Sequence, residues 1–140
     1  VRSRRQRQMC IRDSYYTTTK GVLEKVKAHV GDVDFAVQPE LVSLLSSRNF
    51  GRYADEKGEM KVCFISNNDI TGGNSGSAMF NSKGELLGLA FDGNWEAMSS
   101  DILYEPKMQR TIGVDVRYIL FMIEKYGKAG NLIKELNIIN

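Results

Sequence analysis

Ser75 stands in Gly72-Gly73-Asn74-Ser75-Gly76-Ser77, immediately before the apolar run Ala78-Met79-Phe80. A serine so placed suits acyl transfer. That chemistry needs a hydroxyl exposed on a tight loop and two backbone N–H groups converging where a carbonyl oxygen turns negative. Glycine two positions before the serine lets the backbone reach the required conformation without a Cβ clash. Gly73 fills that position, and the N–H groups of Gly73 and Ser75 are the predicted oxyanion donors. Ser77 stands where a G-x-S-x-G elbow would carry its last glycine, which argues against an α/β-hydrolase and favours a chymotrypsin-like double barrel. Taken alone, the same Gly/Ser/Asn cluster also fits a polar turn between strands.

A serine nucleophile needs a base, and the chain holds one histidine, His29, with Asp32 and Asp34 close by. The chain order His, Asp, Ser suits a chymotrypsin-like enzyme. The separation does not: 46 residues divide His29 from Ser75, too few for a first barrel and the strands leading to the serine loop. His29 is therefore expected to be an ordinary loop histidine. No residue cluster calls for a metal or a cofactor.

The chain is 140 residues long, 42% hydrophobic and 26% charged, enough for one domain with a modest core. No apolar run is long enough to span a membrane, and residues 1–14 lack the apolar stretch of a signal peptide. Those residues carry five of the arginines and one aspartate. RRQRQMCIRDS reads as the translation of a transposon-based sequencing adapter, so residues 1–14 are set aside as non-native. The remainder holds 14 Lys/Arg against 16 Asp/Glu, which removes the case for a nucleic-acid partner. It also leaves Cys63 without a second cysteine, as a small buried apolar residue with no internal disulfide. An adapter abutting Tyr15 implies a gene that began further upstream, making residues 15–140 a C-terminal portion.

Short strands closed by C-terminal helices are the predicted frame. Thr17–Val30 reads as a strand entering a loop, and Pro39 opens a short helix over ELVSLLSS. Phe50–Met60 is a charged, Gly-containing connection, followed by a strand over Lys61–Asn67. SAMF, NSKG and ELLGLAFD read as a hairpin turning at Asn81–Gly84, and Thr111–Val116 as another strand. From Asp115 a helix is expected with Val116, Ile119, Leu120 and Ile123 on its apolar face and Gly127 as its stop. NLIKELN closes the chain as a short helix capped by Asn131. The fold class is mostly β with C-terminal helices, an incomplete part of a chymotrypsin-like double β-barrel, namely its second barrel.

NDITGGNSGSAMFNSKGELLGLAFDGNWEAMSSDI, followed by QRTIGVDVRYIL, closely resembles the C-terminal region of the bacterial dipeptidyl-peptidases of serine peptidase family S46, the dipeptidyl-peptidase 7 and 11 type. YYTTTKGVLEK and NFGRYADEKGEMKVCFISNND resemble the segment before the nucleophile in that family, so the likeness runs in register from about Tyr15 to the end. The resemblance implies a double β-barrel with an inserted helical domain, a periplasmic or surface location, and removal of dipeptides from peptide N-termini. Ser75 matches the acylated nucleophile, Asp92 the aspartate that binds the substrate's terminal amine, and Gly93 the position that separates the family's P1 preferences. A glycine there implies an open, uncharged S1 pocket and hydrophobic P1 residues. Asp69 matches an aspartate that does not confer basic P1 preference. The triad histidine and aspartate lie upstream in the family, and His29 matches neither.

The implied partners are peptides with a free N-terminus, with no nucleic acid and no membrane span, and a homodimer of the intact parent stays open. Ser75 thus has no base of its own on this chain, and the isolated polypeptide is expected to be nearly inactive. Trp95, the single tryptophan, could line a subsite but is expected in a local core, the commoner place for such a residue. Two alternatives stay open: a glutamyl-endopeptidase-like or HtrA-like serine endopeptidase, and a non-catalytic β-rich binding domain.

Overall fold

A computed structural model of the chain describes residues 16–99, 105 and 107–139. The segment assigned to an adapter, residues 1–14, lies outside the described residues. Five strands, β1 (Tyr16–Thr18), β2 (Lys61–Ser66), β3 (Ala78–Phe80), β4 (Leu86–Gly93) and β5 (Thr111–Asp115), form one sheet in the order β1-β2-β5-β4-β3. The β2–β5, β5–β4 and β4–β3 pairings are antiparallel. The helices are α1 (Thr19–Ala28), α2 (Pro39–Ser46), α3 (Val116–Phe121) and α4 (Gly130–Lys134). The antiparallel sheet and the C-terminal helices agree with the sequence reading. The chain divides into two compact units, a sheet unit containing Cys63–Val116 and a helical unit of Thr17–Val62 with Arg117–Asn140.

In the sheet unit the β3–β4 hairpin turns where expected. The Asn81 carboxamide oxygen accepts from the N–H groups of Lys83 (2.9 Å) and Glu85 (3.0 Å), mimicking a backbone turn. Strand β5 buries Thr111, Gly113 and Asp115 and leaves Ile112 and Val114 half-buried, the two-residue period of a pleated strand. The Thr111 hydroxyl donates to the Asn68 carbonyl at 2.7 Å, which satisfies that buried polar group. Cys63, in β2, forms no disulfide among the described residues and is half-buried, not fully buried as expected.

The helical unit centres on Leu45, Phe50, Tyr53, Met60 and Phe121. The Phe121 ring meets Phe50 and Tyr53 edge-on, with centroids 5.7 and 6.0 Å away, the arrangement favoured by ring quadrupoles. Three of these five residues come from Phe50–Met60, read from sequence as a charged connection. Its apolar residues Phe50, Tyr53, Ala54 and Met60 are few and are interrupted by Gly51 and Gly58, and only tertiary packing shows that they are inside.

Three further expectations are corrected. Thr17–Val30 is a strand only over Tyr16–Thr18 and then becomes α1, whose Val22 and Leu23 pack on the core; burial of that face outweighs the β propensity of the threonines. The helix after β5 packs through Tyr118, Leu120, Phe121 and Met122, so of the predicted face Leu120 reaches this core while Phe121 is the residue fully buried in it, and the helix continues into a π turn at Met122–Tyr126. Gly127 does end it, donating its N–H to the Met122 carbonyl at 2.8 Å. Asn131 lies inside α4, and Ala129 holds the cap position, because the helix starts two residues earlier than the side-chain pattern suggested.

Within this unit the Tyr53 hydroxyl donates to the Glu124 carboxylate, which also faces Arg52 at 3.2 Å and Lys125 at 3.1 Å. The Tyr53 hydroxyl first, then the Lys125 ammonium, hold the Glu124 carboxyl down to about 2 from an ordinary 4.5.

Candidate active site

The serine loop joins β2 to β3 and is built by local hydrogen bonds. The Asn74 side-chain oxygen accepts from the Thr71 N–H at 2.9 Å, while the Asn74 N–H donates back to the Thr71 carbonyl at 3.2 Å. The Ser77 N–H then donates to the Asn74 carbonyl at 3.0 Å. This closes two overlapping turns around Gly73 and Ser75, the local bonding that suits asparagine to such bends. Gly73 takes φ +93°, a backbone conformation that side chains rarely adopt.

Beyond the serine the chain locks onto β4. The Gly76 N–H donates to the Ala90 carbonyl at 2.7 Å, and the Ala90 N–H donates to the Ser77 carbonyl at 2.8 Å. Ser75 is thus the last loop residue before the ladder resumes. Among the described residues, neither the Gly73 N–H nor the Ser75 N–H has a hydrogen-bond partner. The Ser75 side chain is exposed. Its hydroxyl donates to the Phe91 carbonyl at 3.2 Å. Among the described residues no imidazole or carboxylate bonds to it.

Phe91 is a component that sequence reasoning missed. The β4–β5 register shifts between Ala90 and Asp92, so Phe91 is the extra residue of a bulge. The shift leaves its carbonyl available to Ser75 and its ring 58% exposed. No glycine or proline marks this bulge, so nothing in the local sequence announces it.

Asp92 and Gly93 come directly after it and end β4. Asp92 is exposed, and one carboxylate oxygen accepts from the Gly93 N–H at 2.7 Å. The other oxygen has no protein partner among the described residues. A Cβ built on Gly93 would lie 2.8 Å from the Ala97 Cβ and 3.4 Å from the Ile70 Cγ2. The missing side chain of Gly93 therefore faces a wall, not open space. Asn94 anchors the chain just beyond β4: its side chain donates to the Met108 carbonyl at 2.8 Å and accepts from the Arg110 N–H at 2.8 Å.

The structure brings Ser75 beside the strand carrying Asp92 and Gly93, and it gives the other singled-out residues local work. The Asp69 carboxylate accepts from the adjacent Ile70 N–H at 2.9 Å. His29, in the helical unit, ends α1 and stacks on Phe35 with ring centroids 4.1 Å apart. Asp32 caps the turn Val33–Phe35 by accepting from the Asp34 N–H. Trp95 is 58% exposed, which overturns its expected place in a core: it opens the short turn Trp95–Ser99 at the sheet's end, where little packs over it. Among the described residues no helix is long and apolar enough to cross a membrane.

The sequence profile of the Peptidase S46 family matches residues 6–138. The chain is 60% identical over 126 residues to dipeptidyl-peptidase 7 of Porphyromonas endodontalis, covering 90% of this chain and 15% of that protein. It is 48% identical over 126 residues to the Asp/Glu-specific dipeptidyl-peptidase of Capnocytophaga gingivalis, covering 90% of this chain and 17% of the relative. Among solved structures, that of Porphyromonas endodontalis DPP11 in complex with the dipeptide Arg-Glu superposes with a TM-score of 0.82 at 42% identity, over 89% of this chain and 18% of that one. The chain spans less than a fifth of the length of these relatives. A profile match along nearly the whole chain, joined to these identities and to the shared fold, establishes that the chain belongs to the peptidase S46 family.

Proposed function

We propose that this chain is the nucleophile-bearing part of a bacterial serine-type dipeptidyl-peptidase that releases dipeptides from peptide N-termini. The observation that carries the reading is the exposed Ser75 hydroxyl beside two unpartnered amides, those of Gly73 and Ser75. A tetrahedral intermediate formed at Ser75 Oγ would place its oxyanion on those N–H groups, which cost no reorganisation because nothing else uses them. Residues 15–140 then form the C-terminal part of the peptidase domain, contributing to the second of two β-barrels. The catalytic histidine and aspartate come from other parts of the parent chain, since His29 is engaged locally with Phe35. A bacterial peptide-degrading enzyme of this kind fits a periplasmic or surface location.

Asp92 is the ruler. Its free carboxylate oxygen binds the substrate's α-ammonium, and that charge-assisted bond sets the scissile peptide two residues away at the serine. Gly93 brings no charge to the S1 pocket, which supports hydrophobic P1 residues. The higher identity to a dipeptidyl-peptidase 7 than to an Asp/Glu-specific relative points the same way.

Hydrolysis of free and N-acetylated peptides by the intact parent, with and without Ser75→Ala, tests the reading. The expected result is cleavage of free peptides only, abolished by Ser75→Ala. Equal cleavage of acetylated peptides would favour an endopeptidase, and indifference to Ser75→Ala would favour a binding domain.

A further inference from the structure

We propose that Ala97 is a specificity-determining residue, coupled to Gly93, that blocks any side chain at position 93 from entering the substrate pocket. The inference rests on the functional reading above and adds a residue to it. Gly93 has no positive φ and ends strand β4, so its backbone would accept an L side chain. The obstacle is contact: an added Cβ would sit 2.8 Å from the Ala97 Cβ, closer than two carbons pack without displacement.

Ala97 has little freedom to withdraw. It is 9% exposed, and its N–H donates to the Asn94 carbonyl at 2.9 Å. Asn94 is itself held at both ends: its N–H donates to the Arg110 carbonyl at 2.9 Å, and its side chain bonds Met108 and Arg110. The turn carrying Ala97 is therefore pinned to the segment entering β5. On the other flank Ile70, from the serine loop, lies 3.4 Å from the same Cβ position. Gly93, Ala97 and Ile70 thus form one wall together. An acidic P1 residue would need a cation on this wall, and placing one at position 93 requires room that Ala97 occupies. Ala97→Gly removes the contacting carbon and creates that room.

The experiment uses the intact parent peptidase as wild type, Gly93→Arg, Ala97→Gly and the double variant, assayed on dipeptidyl substrates with hydrophobic and with acidic P1 residues. Gly93→Arg alone should lose hydrophobic-P1 hydrolysis without gaining acidic-P1 hydrolysis, and the double variant should exceed it on acidic P1 by about tenfold or more. Gly93→Arg gaining acidic-P1 activity alone, with the double variant within about twofold of it, overturns the inference. Should Gly93→Arg fail to fold, the milder Gly93→Ala, melted alone and with Ala97→Gly, decides: a lowered Tm restored by Ala97→Gly supports the coupling, and additive shifts overturn it. A wild-type parent that hydrolyses no dipeptidyl substrate overturns the functional reading and the inference together, whereas an active wild type with uncoupled variants overturns the inference alone.

Discussion

Replacing Gly73 by alanine isolates the oxyanion contribution from the stability of the fold. Gly73 holds φ +93°, and a Cβ placed there would meet nothing within 4 Å, so the substitution adds no clash. Its only cost to the fold is conformational, about 1–2 kcal/mol for holding an L residue on the left-handed side. The chain can relieve that cost by rotating the peptide, which swings the Gly73 N–H away from the position an oxyanion would occupy. Loss of one such donor lowers kcat by about 10²- to 10³-fold, or about 3–4 kcal/mol of transition-state stabilisation. The matched control is Gly84→Ala, in the hairpin turn, where φ is +78° and the added Cβ again meets nothing. Both variants should melt alike, and only Gly73→Ala should lose turnover. The assay is steady-state hydrolysis of a dipeptidyl substrate by the intact parent, with Tm recorded on the same preparations. Turnover by Gly73→Ala within about fivefold of Gly84→Ala, at equal Tm, would refute the role given to the Gly73 amide.

Other outcomes are expected at the same site and in the helical unit. A fluorophosphonate probe should label Ser75 in the intact parent but label the 140-residue chain at least about 10³-fold more slowly, because among the described residues the hydroxyl meets a backbone carbonyl and no imidazole or carboxylate; comparable rates would mean that a base lies on this chain. Asp92→Asn should lower kcat/KM for free peptides by about 10- to 100-fold, the worth of a charge-assisted bond, and a residual preference for free over acetylated peptides would place the amine anchor elsewhere. Glu124 is held down to about 2 by the Tyr53 hydroxyl and its cationic neighbours, so the folded state favours its ionised form. The stability it contributes is complete above the ordinary value of 4.5 and is lost as pH falls from there toward 2. Glu124→Gln should therefore flatten the fall in Tm across that window, and an unchanged slope would assign acid sensitivity to other carboxylates.

Much of the local structure was legible in residue types. Pro39 starts α2, Asn81 and Gly84 turn the hairpin, Gly127 stops the last long helix, and Gly73 bends the loop that carries Ser75. These are short-range effects, in which a side chain or its absence acts on backbone within a few residues of itself. The features that sequence left hidden were decided by contacts between distant segments. Burial made α1 a helix despite its leading threonines and made core of Phe50, Tyr53 and Met60 in an irregular stretch. A register shift between paired strands turned the Phe91 carbonyl toward Ser75. The contact that makes Ala97 matter to Gly93 depends on a turn pinned by Asn94 to residues 108 and 110. Sequence by itself determined which serine has the setting of a nucleophile and how its loop bends. Only the tertiary structure decided which amides stay unpaired and which side chains crowd Gly93, because hydrogen-bond pairing and steric contact belong to segments that the chain brings together only by folding.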